Sequence, residues 1–219
     1  MDLKQKRITT LLWAACVLAM VTVVTGILAR RTAPHPDIHK AGMLELRPAT
    51  PVDPNAPRPV LFPAPAFALT NQDGRPVASD QFKGHPYVAA FVFTNCAGTC
   101  PMMSTHMAKL QQAIPDADVK LVSFTVDPVR DTPERLKAYA ARFEADERRW
   151  SFLTGTKSQL DAVTKGFNVS VVDPTAGDQV IHSERFFLVD ADGNVRGTFS
   201  GTREEEMKEL AEAVGKLGA

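Results

Sequence analysis

A chain of 219 residues, 44% of them hydrophobic, has room for one globular domain of ordinary size plus further segments. Its formal net charge of zero hides an asymmetry. Eight Lys+Arg against four Asp+Glu precede Val60, and seventeen against twenty-one follow from there, a net of −4, which removes the electrostatic footprint of a nucleic-acid-binding protein.

Ile8 to Leu28 is an uncharged run of 21 residues. At about 1.5 Å per residue, a helix of that length crosses a hydrocarbon core of about 30 Å. A cleaved signal peptide would have an apolar region of about 7–15 residues and a small-x-small cleavage site. This run is longer and ends at Leu28-Ala29-Arg30-Arg31, so residues 1–29 are read as an uncleaved membrane anchor. Cys16 is then a small apolar residue within the membrane. Lys4, Lys6 and Arg7 on one side nearly balance Arg30 and Arg31 on the other, so charge alone does not orient the span. The remaining two cysteines are closely spaced, which suits an oxidising compartment and a redox-active or metal-binding pair. The expected location is a bacterial inner membrane, single-pass, with the soluble part facing the periplasm.

Residues 30 to about 65 hold nine of the sixteen prolines and few large apolar residues. Such a stretch cannot bury enough surface to fold, so residues 30–64 are assigned to an extended linker and 65–219 to the folded domain. Phe67 to Val77, with Asp73-Gly74 at its centre, predicts a hairpin. Tyr87 to Phe93 is a hydrophobic run suited to a strand buried on both faces. Met103, Met107, Leu110 and Ile114 then recur at helical spacing until Pro115. Val119–Val126 predicts a second strand. Thr132-Pro133 predicts a helix start, with Leu136, Tyr139, Ala140 and Phe143 on one stripe. Phe152-Leu153 is a short strand, and Thr156 to Gln159 matches a capping box ahead of Leu160, Val163 and Phe167. Phe186–Val189 and Val195–Phe199 flank a turn at Ala191-Asp192-Gly193-Asn194. A second capping box, Thr202 to Glu205, opens a final helix carrying Met207, Leu210, Val214 and Leu217. Alternating strands and helices with a late hairpin predict an α/β fold of the thioredoxin-like plan, a mixed sheet flanked by helices, behind the N-terminal transmembrane helix.

Between the first core strand and its helix lies Thr94-Asn95-Cys96-Ala97-Gly98-Thr99-Cys100-Pro101. The spacing lets Cys96 and Cys100 meet on one face of a first helical turn, near backbone N–H groups that favour a thiolate. That permits either a disulfide or two thiolates on one metal ion. A metal needs a further ligand. His35 and His39 fall in the linker, and His85 precedes the core strand, far from the cysteine end. His106 is more than one and a half helical turns past Cys100 and is expected to face away. His182 stands at the start of a late strand that can run beside the cysteine strand.

Three motifs carry a resemblance: Thr94 to Pro101; Thr125-Val126-Asp127-Pro128-Val129-Arg130-Asp131-Thr132-Pro133; and His182-Ser183 ahead of Phe187 to Gly193. In order and spacing, from about Pro65 to the C-terminus, the chain resembles the SCO/SenC family of thioredoxin-like, membrane-anchored copper-binding proteins. The resemblance implies copper, as Cu(I) or Cu(II), held by Cys96, Cys100 and His182. It also implies a partner: the copper-accepting subunit of cytochrome c oxidase or another copper chaperone. Two soft thiolates and an imidazole suit copper, whereas structural zinc wants a fourth protein ligand. The family commonly has Cys-Pro-Asp-x-Cys-Pro and an Asp before its histidine; here Ala97, Gly98 and Ile181 stand in those places, without removing a ligand. Asp127 and Asp131 are expected to brace the loop beside the site.

The expected function is therefore a copper metallochaperone. The rival is a thiol–disulfide oxidoreductase using Cys96 and Cys100 as its catalytic, redox-active pair on the cysteines of a copper-accepting partner. A redox or copper sensor is a third reading.

Overall fold

The computed structural model describes residues 58–115, 118–169 and 183–217. The expected anchor at 8–28, most of the linker and His182 lie outside the described residues. Among those described, no helix is long and apolar enough to cross a membrane.

The elements are β1 (Phe62–Pro63), β2 (Ala68–Asn71), β3 (Pro76–Ala78), a 3₁₀ turn (Ser79–Phe82), β4 (Tyr87–Val92), α1 (Thr99–Ala113), β5 (Lys120–Thr125), α2 (Pro133–Arg142), β6 (Trp150–Thr154), α3 (Lys157–Gly166), β7 (Arg185–Val189), β8 (Asn194–Ser200) and α4 (Glu204–Leu217). They build one eight-stranded sheet in the order β1-β8-β7-β4-β5-β6-β2-β3. The centre is parallel, β4 on β5 and β5 on β6. The flanks are antiparallel, with β7 on β4 and β8 on β7. This is the predicted mixed sheet. It places β7 beside the cysteine-bearing strand but running the opposite way, so β7 begins at the end where β4 finishes.

Every position of β4 is buried, as suits a strand covered on both faces. Its side chains alternate between two cores. Ala89 and Phe91 join Phe67, Leu69, Phe124, Leu153, Leu160, Val163, Phe167 and Phe187 beneath α3. Val88 and Ala90 join Met103, Met107, Leu110, Leu136, Tyr139, Trp150, Phe152, Leu188, Leu210 and Val214 beneath α1, α2 and α4. Helices thus cover both faces.

Local signals account for most boundaries. Thr132 caps α2 by accepting the Arg135 N–H, with Pro133 at the first position. Thr156 and Gln159 form the reciprocal capping box of α3. Gly74 and Gly193 take positive φ in the two hairpin turns, a conformation that costs glycine little. Two boundaries differ from expectation. Phe62–Pro63, assigned to the linker, instead pairs with Val195 and Asn194 as an edge strand, where proline's missing N–H is tolerated. The last helix opens at Glu204, and it is the Glu206 carboxylate rather than that of Glu205 that reaches back, accepting the Ser200 N–H at 2.6 Å.

Candidate functional site

β4 ends at Val92, and the chain turns through Thr94 and Asn95 before α1 begins at Thr99. Cys100 is the second residue of that helix and Pro101 the third, where a proline costs no helical hydrogen bond. Cys96 lies outside the helix. The two cysteines therefore do not share a first helical turn. They meet because the turn folds back: the Cys96 N–H donates to Phe93 O at 3.2 Å, and the Gly98 N–H donates to Cys96 Sγ at 3.3 Å. The two sulfurs are unbridged and within hydrogen-bonding reach of each other.

Their environments differ sharply. Cys96 is half-buried, while Cys100 is 0% exposed. Burial pushes the Cys100 thiol well above its ordinary range; a backbone hydrogen bond with Phe93 opposes this, and Cys96 and Asp131 add to the rise. Each sulfur thus has one backbone hydrogen bond, with Gly98 at Cys96 and with Phe93 at Cys100. At Cys100 burial outweighs the helix N-terminus. A side chain at position 98 would begin 3.8 Å from Cys96 Sγ, so the glycine leaves that flank of the sulfur open.

Asp131 closes the floor of the site. It is 0% exposed and accepts hydrogen bonds from Thr94 N at 3.1 Å, from Thr94 Oγ1 and from Thr125 Oγ1. One carboxylate thereby ties the end of β4, the end of β5 and the start of α2. Asp127 organises the same loop, with its backbone carbonyl accepting from Asp131 N at 2.9 Å and its carboxylate from Arg130 Nη1 at 2.9 Å. The expected bracing by both aspartates is what the structure contains.

Sequence reading missed a hydroxyl pair on the other flank. Ser104 follows Cys100 by one helical turn, and its Oγ lies 3.0 Å from the Tyr139 hydroxyl of α2, both buried. Burial raises the Tyr139 phenol, Ser104 opposes the rise, and Cys100 and Cys96 add to it, so both thiols lie within electrostatic reach of that hydroxyl. The i, i+4 spacing of Cys100 and Ser104 was a usable signal. The contact with Tyr139, 35 residues on, was not. Met103 is fully buried in the core, whereas Met102 is 41% exposed.

The histidines sort as follows. His85 pairs with Asp118 at 2.7 Å, at the opposite end of β4. His106 bonds Gly201 O through Nδ1 at 2.8 Å. His182 lies outside the described residues; the chain resumes at Ser183, and β7 begins at Arg185, which pairs with Ser200 at the cysteine end of the sheet. Among the described residues, no group of three His, Cys, Asp or Glu is placed to hold a metal. What the described residues supply is two soft sulfur donors, a fit to copper or another thiophilic ion that needs a further ligand.

Comparison with known proteins follows from this geometry. A model of the SCO1/SenC family matches residues 59–217. The SCO1 protein homologue of Bacillus subtilis is 39% identical over 147 residues, 65% of this chain and 76% of that protein. The solved structure of BsSco, a member of the Sco family of cytochrome c oxidase assembly proteins in which a disulfide switch was identified, matches with 36% identity and a TM-score of 0.66 over 74% of this chain and 96% of its own. Bradyrhizobium japonicum ScoI with copper bound matches with 26% identity and a TM-score of 0.60, over 70% and 98%. With the family model spanning the whole described fold, the chain belongs to the SCO1/SenC family.

Proposed function

We propose that this protein is a copper chaperone. Cys96, Cys100 and His182 hold the ion, and it is delivered during assembly of the copper centre of cytochrome c oxidase. Residues 8–28 anchor the chain in a bacterial inner membrane with the folded domain in the periplasm. One observation carries the reading: two unbridged cysteines, Cys96 and Cys100, stand together past the end of β4, at the end of the sheet where the neighbouring strand β7 begins. The copper-bound relative from Bradyrhizobium supports the choice of ion, and BsSco supports oxidase assembly as the setting.

Copper, as cargo, supplies soft Lewis acidity that thiolates and an imidazole satisfy. The chain's own residues set the terms of its capture and release. Cys96, with one amide donor and an open flank at Gly98, is the sulfur an incoming ion or acceptor reaches first. Cys100 must lose a proton against the cost of burial, so capture releases protons and is favoured by rising pH. Asp131 holds the turn in place while the thiols change partners.

A second reading has one observation in its favour. An accessible thiol beside a buried one is the arrangement of an attacking and a resolving cysteine. In that reaction the Cys96 thiolate attacks a target disulfide and expels one target thiol. Cys100 then displaces the second, leaving a Cys96–Cys100 disulfide and two reduced target thiols. Copper loading requires reduced thiols, so the activities are compatible.

Competition titration against a Cu(I) chelator tests the primary reading. The wild-type chain should bind one Cu(I); Cys96→Ser should abolish binding, and His182→Ala should weaken it by at least about tenfold while disulfide reduction persists. Unchanged affinity in His182→Ala would leave only the oxidoreductase reading.

A further inference from the structure

Capture and exchange at the thiols make no direct use of Ser104 and Tyr139, yet these two close a circuit of bonds around the sulfurs. From Cys96 the chain leads back two residues to Thr94, whose N–H and hydroxyl both donate to the Asp131 carboxylate. Asp131 stands two residues ahead of α2, which carries buried Tyr139. The Tyr139 hydroxyl lies 3.0 Å from Ser104 Oγ on α1. Ser104 follows Cys100 by one turn, so the two share a face of that helix, with Cβ atoms about 5–6 Å apart. The circuit runs Cys96, Thr94, Asp131, α2, Tyr139, Ser104 and Cys100, and the gap between the sulfurs closes it.

The Tyr139 oxygen is firmly placed. Its ring packs on Phe143 at 4.9 Å and on Phe152 at 6.0 Å between centroids. Helix α1 is tied to the chain just after α2 by a second contact, two turns on. There Gln111 Nε2 donates to Glu144 O at 3.1 Å, and Gln111 Oε1 accepts the Asp146 N–H at 2.9 Å. The two ties are about 10 Å apart along the axis. The hydroxyl pair is the one nearer the thiols; without it, the cysteine end of α1 can pivot about the Gln111 end.

Spacing decides what two thiols can do. A disulfide brings its sulfurs to about 2.05 Å. Two thiolates at about 2.3 Å from one ion stand about 3.8 Å apart at a tetrahedral angle. The unbridged, hydrogen-bonded pair is nearer the second spacing. We infer that Ser104 and Tyr139 are positioning residues: their bond holds the Cys100 end of α1 away from the Cys96 turn, at the separation a shared ion needs, and opposes closure to a disulfide. The inference rests on the reading of Cys96 and Cys100 as a pair that takes copper only while unbridged. It assigns neither hydroxyl a contact with the ion.

The test uses the full chain in detergent micelles, equilibrated with mixtures of oxidised and reduced dithiothreitol. Cys96 and Cys100 lose two electrons and two protons and join, and the reagent's disulfide takes both up as two thiols. Alkylation and mass spectrometry of the peptides read the bridged fraction at these two cysteines alone. Tyr139→Phe keeps the ring and removes only its oxygen. It and Ser104→Ala are each expected to favour the bridged form about fivefold, about 20 mV for a two-electron couple, and to weaken Cu(I) binding by a similar factor. The double variant should add nothing to either single one, because all three break the same bond. Ser123→Ala removes another buried hydroxyl bond, to Trp150 Nε1 at 3.0 Å in the middle of β5. It should lower the unfolding midpoint and leave the redox equilibrium alone. An equilibrium unchanged in Tyr139→Phe and Ser104→Ala, or shifted equally by Ser123→Ala, would overturn the inference. A wild-type chain that binds no Cu(I) while unbridged overturns the copper reading instead, and the redox equilibria still decide the role of the hydroxyl pair.

Discussion

Two buried aspartates, one at each end of the sheet, do opposite things with the same functional group. Asp190, at the hairpin end, accepts from the N–H groups of Asp192 and Asn194 and pairs with the Arg196 guanidinium. Burial pushes its carboxyl up, but the Asn194 and Asp192 amides and Arg196 more than reverse this and hold it below the usual carboxylate range. At the cysteine end, the partners of Asp131 among the described residues are two threonine hydroxyls and one amide, all uncharged. One carboxylate is neutralised and serves as a brace. The other braces too, but leaves negative charge beside Cys100, where it adds to the rise of that thiol. A carboxylate whose charge is uncompensated next to two thiols favours a cation arriving there.

The comparison can be broken at several points. Asp131→Ala strands three donors, one on buried Thr125 and two on half-buried Thr94, and we expect about 3–5 kcal/mol of lost stability in urea unfolding. Asp190→Ala loses donors that lie nearer solvent in a turn, and about 2 kcal/mol is expected. Asp190 should also show itself in acid. A carboxyl depressed in the fold contributes stability that is fully present above its unfolded value of about 4 and disappears as pH falls through the folded one. Asp190→Asn should therefore flatten the acid limb of a stability–pH curve; an unchanged limb would refute the ion-pair account. The smallest effect is kinetic. Iodoacetamide should modify Cys96 at least about tenfold faster than Cys100, as read by mass spectrometry. Asp131→Asn should narrow that gap by lowering the Cys100 pKa, and Asp190→Asn should leave it unchanged. If both variants narrowed it equally, the charge of Asp131 would have no local role.

What could be read in the chain follows from how far each interaction reaches. The β4–turn–α1 junction, the capped starts of α2 and α3 and the hairpin around Gly193 depend on residues within four or five positions of one another, and all were legible. Cys96 was misplaced because the helix starts at Thr99, in front of the proline. The first-turn N–H groups need no helical partner, so Pro101 marks a helix without marking its first residue. β1 was taken for linker because it is only two residues long and contains a proline, and nothing local reveals that β8 offers it an edge. The Ser104–Tyr139 pair and the His106–Gly201 bond join residues 35 and 95 positions apart. Only the assembled sheet brings them together.

The pairing of β1 with β8 also decides how the domain can be handled. β1 runs antiparallel to β8, so tracing the chain backward from Phe62 leads along the edge to Arg58, whose guanidinium lies 5.0 Å over the Phe199 ring. Phe199 neighbours Ser200, so anything attached ahead of Arg58 joins the fold at the thiol end. Helix α4 starts at that same end and carries the chain about 20 Å along its axis to Leu217. An affinity handle or a sensor surface fixed at the C-terminal side leaves the thiols facing outward. One fixed immediately ahead of Arg58 crowds the thiols, so the measured rate of their reaction with a soluble reagent will depend on which end is held.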